Sequence, residues 1–95
     1  MADVLHPDAL RDELDRLDGW EGTVEQGISK SYDCGDFAGS VAFVNRLADH
    51  AEQVGHHPDL AISWDSVRVT YITHSAGGVT QADIGQARAA DDLRS

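Results

Sequence analysis

The spacing of apolar residues changes from a helical to a strand period at residues 55–58, and this change constrains the fold more than any other sequence feature. Residues 36–55 repeat apolar side chains at intervals of three and four, which predicts one long amphipathic helix. Residues 59–74 alternate apolar and polar side chains, which predicts a β-hairpin. The hairpin is expected to form part of a sheet, and the long helix is expected to pack on one face of that sheet.

The expected long helix has a start signal and a stop signal. Asp36 can cap its first turn, and Gly55 can end it in a left-handed conformation. The apolar side chains at helical spacing are expected to form its buried stripe: Phe37, Val41, Val44, Ala48 and Ala51.

The hairpin is expected to turn at residues 65–66, which pairs Leu60 with Tyr71. In this register the apolar side chains of both strands share one face: Leu60, Ile62, Trp64, Val67, Val69 and Tyr71. Extended to the strand ends, the register sets His57 opposite His74, where directly opposed Cβ atoms lie about 4.5–5.5 Å apart. The hairpin therefore predicts that two histidines lie close together.

Three shorter patterns complete the order of elements. Residues 8–17 repeat leucines at helical spacing, and residues 20–34 hold the β-forming residues and glycines typical of two short strands. Residues 80–94 predict a last helix, because Thr80 and Asp83 form a start like a capping box. The expected fold class is α+β: a four-stranded antiparallel sheet with three helices packed on one face, in the order α-β-β-α-β-β-α.

Length and charge limit the possible functions. The 95 residues predict a single small domain, residues 1–95, whose core is marginal without association. The net charge of −10 argues against binding nucleic acid or an anionic membrane surface, since both need clustered Lys and Arg.

No run of 18 apolar residues and no secretory signal pattern is present, so we expect a cytoplasmic protein. Cys34 is the only cysteine, which excludes an internal disulfide and favours a buried thiol.

Three histidines, His56, His57 and His74, are expected to converge where the long helix and the second hairpin strand end. One ring can accept a proton while another donates one, because histidine titrates near neutral pH. Glu52 and Asp83 could orient these rings; the alternatives are a surface carboxylate and a helix-start carboxylate, respectively. A metal site is less favoured, because adjacent histidines point in opposite directions in extended backbone.

These residues resemble the signature of the pterin-4a-carbinolamine dehydratase family. That signature combines an acid, a His-His-Pro motif, an aromatic residue, a histidine and an aspartate, matched here by Glu52, His56, His57, Pro58, Trp64, His74 and Asp83. The resemblance covers nearly the whole chain and extends to residues 19–20, 36–37 and 73–78. It departs at residues 32–34, where such proteins usually have two aromatic residues, because Cys34 replaces a bulky packing residue there.

The resemblance implies dehydration of 4a-hydroxytetrahydropterin to quinonoid dihydropterin and water, which supports recycling of tetrahydropterin after aromatic amino acid hydroxylation. It implies no metal and no organic cofactor, a small-molecule pterin as the partner, and a homodimer or homotetramer. The alternative function is a non-catalytic, protein-binding role on the same fold, as a dimerisation or assembly partner, since members of the family also serve in such roles.

The resemblance also implies roles for individual residues. The expected catalytic residues are His56, His57, His74 and Asp83. His56 and His74 are expected to form the acid–base pair, while His57 holds the substrate or assists and Asp83 orients a histidine. The residues expected to bind substrate are Glu52, Pro58, Trp20 and Trp64. Glu52 is expected to help hold the pterin or to tune His56.

Overall fold

A computed structural model describes residues 3–94 of the chain and shows three helices, four strands and one short 3-10 turn. The elements are α1 (Pro7–Asp15), β1 (Glu21–Thr23), β2 (Gly27–Asp33), α2 (Phe37–Val54), β3 (Asp59–Ile62), β4 (Ser66–Tyr71), a 3-10 turn (His74–Ala76) and α3 (Gln81–Arg94). The predicted order of helices and strands is confirmed.

The four strands form one antiparallel sheet in the order β1-β2-β4-β3. On β4 the side chains of Val67, Val69 and Tyr71 are buried, while Arg68 between them is exposed. The buried face lies against α2 and α3, and the opposite face presents hydroxyl and guanidinium groups. The sheet is therefore covered by helices on one side, as the α+β fold class predicts.

The long helix α2 begins and ends where its sequence signals predict. The Asp36 side chain accepts a hydrogen bond from the Gly39 N–H at 2.7 Å, which satisfies one of the free donors of the first turn. Gly55 follows the helix with φ of +70°, a left-handed conformation that glycine adopts without strain. The sharp end at Gly55 directs the next residue, His56, back towards the start of α3.

The predicted buried stripe of α2 is wrong for most of its members. Ala51 is buried, but Phe37 is 60% exposed and Val41 is also exposed. The side chains that α2 buries are Ser40, Phe43, Leu47 and Ala51. At ~100° per residue this row lies roughly 80° around the helix from the predicted one. The helix thus carries two apolar rows, and the bulkier pair, Phe43 and Leu47, fills the core.

The predicted hairpin register is wrong by two residues. Leu60 pairs with Val69 and not with Tyr71, and the turn is closed by a hydrogen bond from the Ser63 N–H to the Ser66 carbonyl at 2.8 Å. Contacts outside the hairpin explain the earlier turn, since the Asp65 carbonyl accepts the N–H of Cys34 at 2.7 Å. A shift of two residues keeps the side chains of the paired strands on their predicted faces. It removes the reason for placing His57 opposite His74. The expectation that all six apolar side chains of the hairpin are buried is wrong for Ile62 and Trp64, which are 50% and 68% exposed.

Candidate active site

The centre of the candidate site is a hydrogen bond between His56 and Asp83. His56 lies directly after Gly55 at the end of α2, and Asp83 lies in the first turn of α3. The His56 Nε2 and Asp83 Oδ1 atoms are 2.6 Å apart. The Asp83 side chain is fully buried, and 19% of the His56 side chain is exposed. One end of the pair is thus fixed in the protein, while the histidine ring reaches the surface.

The second oxygen of Asp83 caps α3. Asp83 Oδ2 accepts hydrogen bonds from the Thr80 N–H at 2.9 Å and from the Thr73 hydroxyl at 2.8 Å. The bond to Thr80 is the reciprocal half of a capping box, so the predicted helix start is confirmed. One carboxylate therefore fills both roles that the sequence left open, since it starts the helix and holds a histidine.

The partners of Asp83 determine which nitrogen of His56 can act as a base. An ionised carboxylate only accepts hydrogen bonds, and the groups around Asp83 can all donate. His56 Nε2 consequently carries the proton that faces Asp83. Nδ1 of the neutral ring is then the nitrogen that can accept a proton from a bound molecule.

Tyr71 forms a buried wall behind His56. The two rings are stacked, with centroids 6.0 Å apart and an angle of 15° between their planes. Burial and the neighbouring negative charge of Asp83 raise the pKa of Tyr71 to about 12. Tyr71 therefore stays protonated near neutral pH and provides an uncharged surface against which the imidazole is held.

His57 and Glu52 form a second carboxylate–histidine pair beside the first. His57 Nε2 contacts Glu52 Oε2, and the two side chains are 61% and 76% exposed. Pro58 follows His57 and precedes the first residue of β3. Glu52 was expected to hold the substrate or to tune His56; its ion-pair partner is His57, so it is not placed to tune His56 by direct contact.

His74 lies at the start of the 3-10 turn that follows β4, and its side chain is exposed. The preceding residue, Thr73, hydrogen-bonds to Asp83, which connects the turn to the His56 pair. Gly77 ends the turn with φ of +80°. The contact of Thr73 with Asp83 thus joins the end of β4 to the start of α3 and to His56 after α2. The predicted convergence of the His74 ring on this pair stays a prediction.

The two tryptophans that were expected to bind substrate lie outside this cluster. Trp20 is buried in the core, where its Nε1–H donates to Asp91 and its ring packs 6.1 Å from that of Tyr71. Trp64 is 68% exposed at the hairpin turn, at the far end of β3 from the histidines. Substrate binding by either residue stays a prediction, and these positions give it no support within one chain.

The roles of several residues in the site were not recognised from the sequence. Thr73 and Thr80 hold Asp83, and Tyr71 supports the His56 ring. The capping-box pattern indicated Thr80, but as part of a helix start and not of a site. Tyr71 follows the strand alternation of β4 and carried no separate signal. Among residues 3–94, no three His, Cys, Asp or Glu side chains are grouped so that they could hold a metal ion.

The described helices also bear on membrane association. Within residues 3–94, none of the helices has the length and apolar character needed to cross a membrane.

Comparisons with known proteins agree with the α+β fold and show the family of the chain. A family model described as pterin 4 alpha carbinolamine dehydratase matches residues 3–93. A protein of Thermosynechococcus vestitus, named "Putative pterin-4-alpha-carbinolamine dehydratase", is 47% identical over 93 residues, which are 98% of this chain and 97% of that one. A protein of Nocardia farcinica with the same name is 38% identical over 91 residues, covering 96% and 95% of the two chains.

Two solved structures are similar over most of the chain. A "transcriptional coactivator/pterin dehydratase" from Brucella melitensis has a TM-score of 0.90 and 32% identity, covering 98% of this chain and 100% of that one. A pterin dehydratase-like protein identified as a RuBisCO assembly factor in the alpha-carboxysome has a TM-score of 0.65 and 25% identity, covering 79% and 86%. This chain belongs to the pterin-4a-carbinolamine dehydratase family.

Proposed function

We propose that the protein dehydrates 4a-hydroxytetrahydropterin to quinonoid dihydropterin and water by histidine acid–base catalysis. The bond from C4a to its hydroxyl oxygen breaks, and the oxygen leaves as water after it receives a proton. N5 loses its proton, and its electron pair forms the C4a=N5 double bond. One proton is given and one is taken, and no electrons are transferred to another molecule, so two histidines suffice.

The observation that carries this proposal is the hydrogen bond between His56 and the buried Asp83. A general base must present a lone pair in a fixed direction, and Asp83 fixes both the ring and its tautomer. Burial of the carboxylate removes competing water from this bond. We assign His56 Nδ1 as the base that takes the N5 proton, and His74, in its protonated form, as the acid that gives a proton to the hydroxyl.

The exposed pair suits substrate binding better than proton transfer. His57 and Glu52 both reach solvent, so their positions can adjust to a bound ring. The pterin carries amide and amino groups that hydrogen-bond to a carboxylate and an imidazole. We assign His57 and Glu52 to holding the pterin, with Pro58 limiting the motion of the loop.

A stopped-flow assay tests this function. The decay of 4a-hydroxytetrahydropterin is followed by ultraviolet absorbance with the wild type and with His74→Ala, and the uncatalysed rate is subtracted. We expect the wild type to accelerate the decay and His74→Ala to lose about 10²–10⁴-fold of that acceleration. A wild type that is no faster than buffer would reject the dehydratase proposal and favour the non-catalytic binding role.

We also propose that the protein is a homo-oligomer. Phe37 and Val41 lie on a side of α2 that the core does not use, and Ile62 and Trp64 are exposed on the neighbouring hairpin. A second copy of the chain that covers these side chains would enlarge the small apolar core of each. Sedimentation equilibrium of the wild type and of Val41→Glu is the test; a monomeric wild type would reject the proposal.

A further inference from the structure

We infer that Thr73 is a positioning residue that fixes His56 and His74, the proposed acid–base pair, relative to each other. This inference rests on the proposed function for its effect on catalysis, and it concerns a residue to which the sequence analysis gave no role. Its basis is that the side chain of Thr73 contacts the partner of His56, while its main chain closes the turn that begins at His74.

The side chain of Thr73 forms part of a directed chain of hydrogen bonds. Its Oγ1 donates to Asp83 Oδ2 at 2.8 Å, and Thr80 Oγ1 lies 2.8 Å from the same Thr73 oxygen. Because a hydroxyl has one proton, and the proton of Thr73 faces Asp83, the Thr80 hydroxyl donates to Thr73. The chain ends at the bond between Asp83 and His56. Loss of the Thr73 hydroxyl would remove a donor from Asp83 and an acceptor from Thr80.

The main chain of Thr73 closes the turn that carries His74. Its carbonyl accepts hydrogen bonds from the N–H groups of Ala76 at 3.0 Å and Gly77 at 3.1 Å. Its own N–H donates to the carbonyl of Gly78 at 3.1 Å, and the two residues form an isolated β-bridge. A displacement of Thr73 would therefore move His74 as well as Asp83.

The positions of both histidines thus depend on Thr73, so a change at this residue is expected to lower the rate of the reaction. An error of about 1 Å in the placement of a reacting group can cost about 10²-fold in rate. Thr73→Val keeps the shape of the side chain and removes the hydroxyl. We expect kcat to fall by about 10–100-fold, with KM little changed and with an altered pH profile of kcat.

Two matched variants separate the effect of losing the Thr73 hydroxyl from the effect of changed packing. Thr73→Ser retains the hydroxyl and should keep kcat within about fivefold of the wild type. Thr70→Val removes a hydroxyl from β4, where Thr70 Oγ1 is 2.7 Å from Ser29 Oγ, and should leave kcat unchanged. Urea unfolding of each variant reports stability, and Thr73→Ala replaces Thr73→Val if the valine variant does not fold.

A second readout does not need activity. In NMR spectra of histidine ring protons, the Nε2–H of His56 should give a resonance shifted downfield by its bond to Asp83. We expect this resonance to be lost or shifted in Thr73→Val and retained in Thr73→Ser and Thr70→Val. If the wild type shows no dehydratase activity, the proposed function fails and this spectrum alone decides the inference. The inference would be overturned if Thr73→Val had the spectrum and the kinetics of the wild type. It would also be overturned if Thr73→Ser lost as much kcat as Thr73→Val.

Discussion

The two carboxylate–histidine pairs of this site are made of the same chemical groups in opposite environments. His56 is held by Asp83, which is fully buried and also receives hydrogen bonds from Thr73 and Thr80. His57 is held by Glu52, and both of these side chains are mostly exposed. Adjacent histidines thus have partners that differ in burial and in the number of their contacts.

This difference is the basis for the proposal that one His-His-Pro motif provides two functions. The buried pair is fixed in position and tautomer, which suits a group that transfers a proton. The exposed pair is screened by water and contributes little to stability, typically about 0–1 kcal/mol. Such a pair can rearrange around a ligand without loss of fold. We therefore expect substitutions in the two pairs to affect different kinetic constants.

The largest expected effect comes from His56→Ala. Loss of the proposed base should lower kcat by about 10²–10⁴-fold. His57→Ala removes a residue that is proposed to hold the substrate, so it should raise KM by less than about tenfold and change kcat little. Steady-state kinetics of both variants, after subtraction of the uncatalysed rate, measure the contrast. Equal losses of kcat would show that the two rings share the chemistry.

The smallest expected effect concerns Glu13, a carboxylate with no histidine partner. A hydrogen bond from Gln81 holds its pKa below the ordinary value, with help from the positive charges of Arg16 and Arg88. A carboxyl with a lowered folded-state pKa adds stability above its ordinary value of 4.5, and this stability is lost as the pH falls. Glu13→Gln should therefore lower stability at pH 7 by about 1 kcal/mol or less.

Urea unfolding at pH 7 and at about pH 3.5 checks this prediction, because the difference between wild type and Glu13→Gln should shrink in acid. Gln81 is the first residue of α3, the helix that carries Asp83, so the variant also shows whether anchoring that helix affects the site. We expect its kcat to equal that of the wild type. A large loss of kcat would indicate that the buried pair depends on α1.

The sequence predicted the order of elements and the boundaries of α2 because those depend on local signals. Asp36 and Gly55 act through their own turns, and both predictions are confirmed. The buried stripe of α2 was wrong because that helix has two apolar rows, and periodicity does not tell which row meets the sheet. The hairpin register was wrong because the turn is fixed by contacts with Cys34 and Ser40, which are distant in sequence.

The site was predictable only where its residues follow a known pattern. The motif indicated His56 and Asp83, but the spacing does not show that they form a hydrogen bond. Thr73 and Tyr71 act through contacts that depend on the packing of β4 against the start of α3. Thr73 lies in a segment covered by the resemblance, but its role, like that of Tyr71, could be assigned only once the fold was known.

The most direct test of the account compares Asp83→Asn with Glu52→Gln, which remove one charge from each pair at nearly constant shape. In Asp83→Asn the two donors at Oδ2 favour the amide oxygen there, so the amide nitrogen faces His56. His56 Nε2 must then accept a hydrogen bond, and the proton moves to Nδ1.

We predict that Asp83→Asn lowers kcat by about 10²-fold or more, while Glu52→Gln changes kcat/KM by less than about tenfold. Stopped-flow kinetics of the two variants and the wild type give both values. Normal turnover by Asp83→Asn, or a larger loss of kcat in Glu52→Gln, would contradict the assignment of proton transfer to the buried pair.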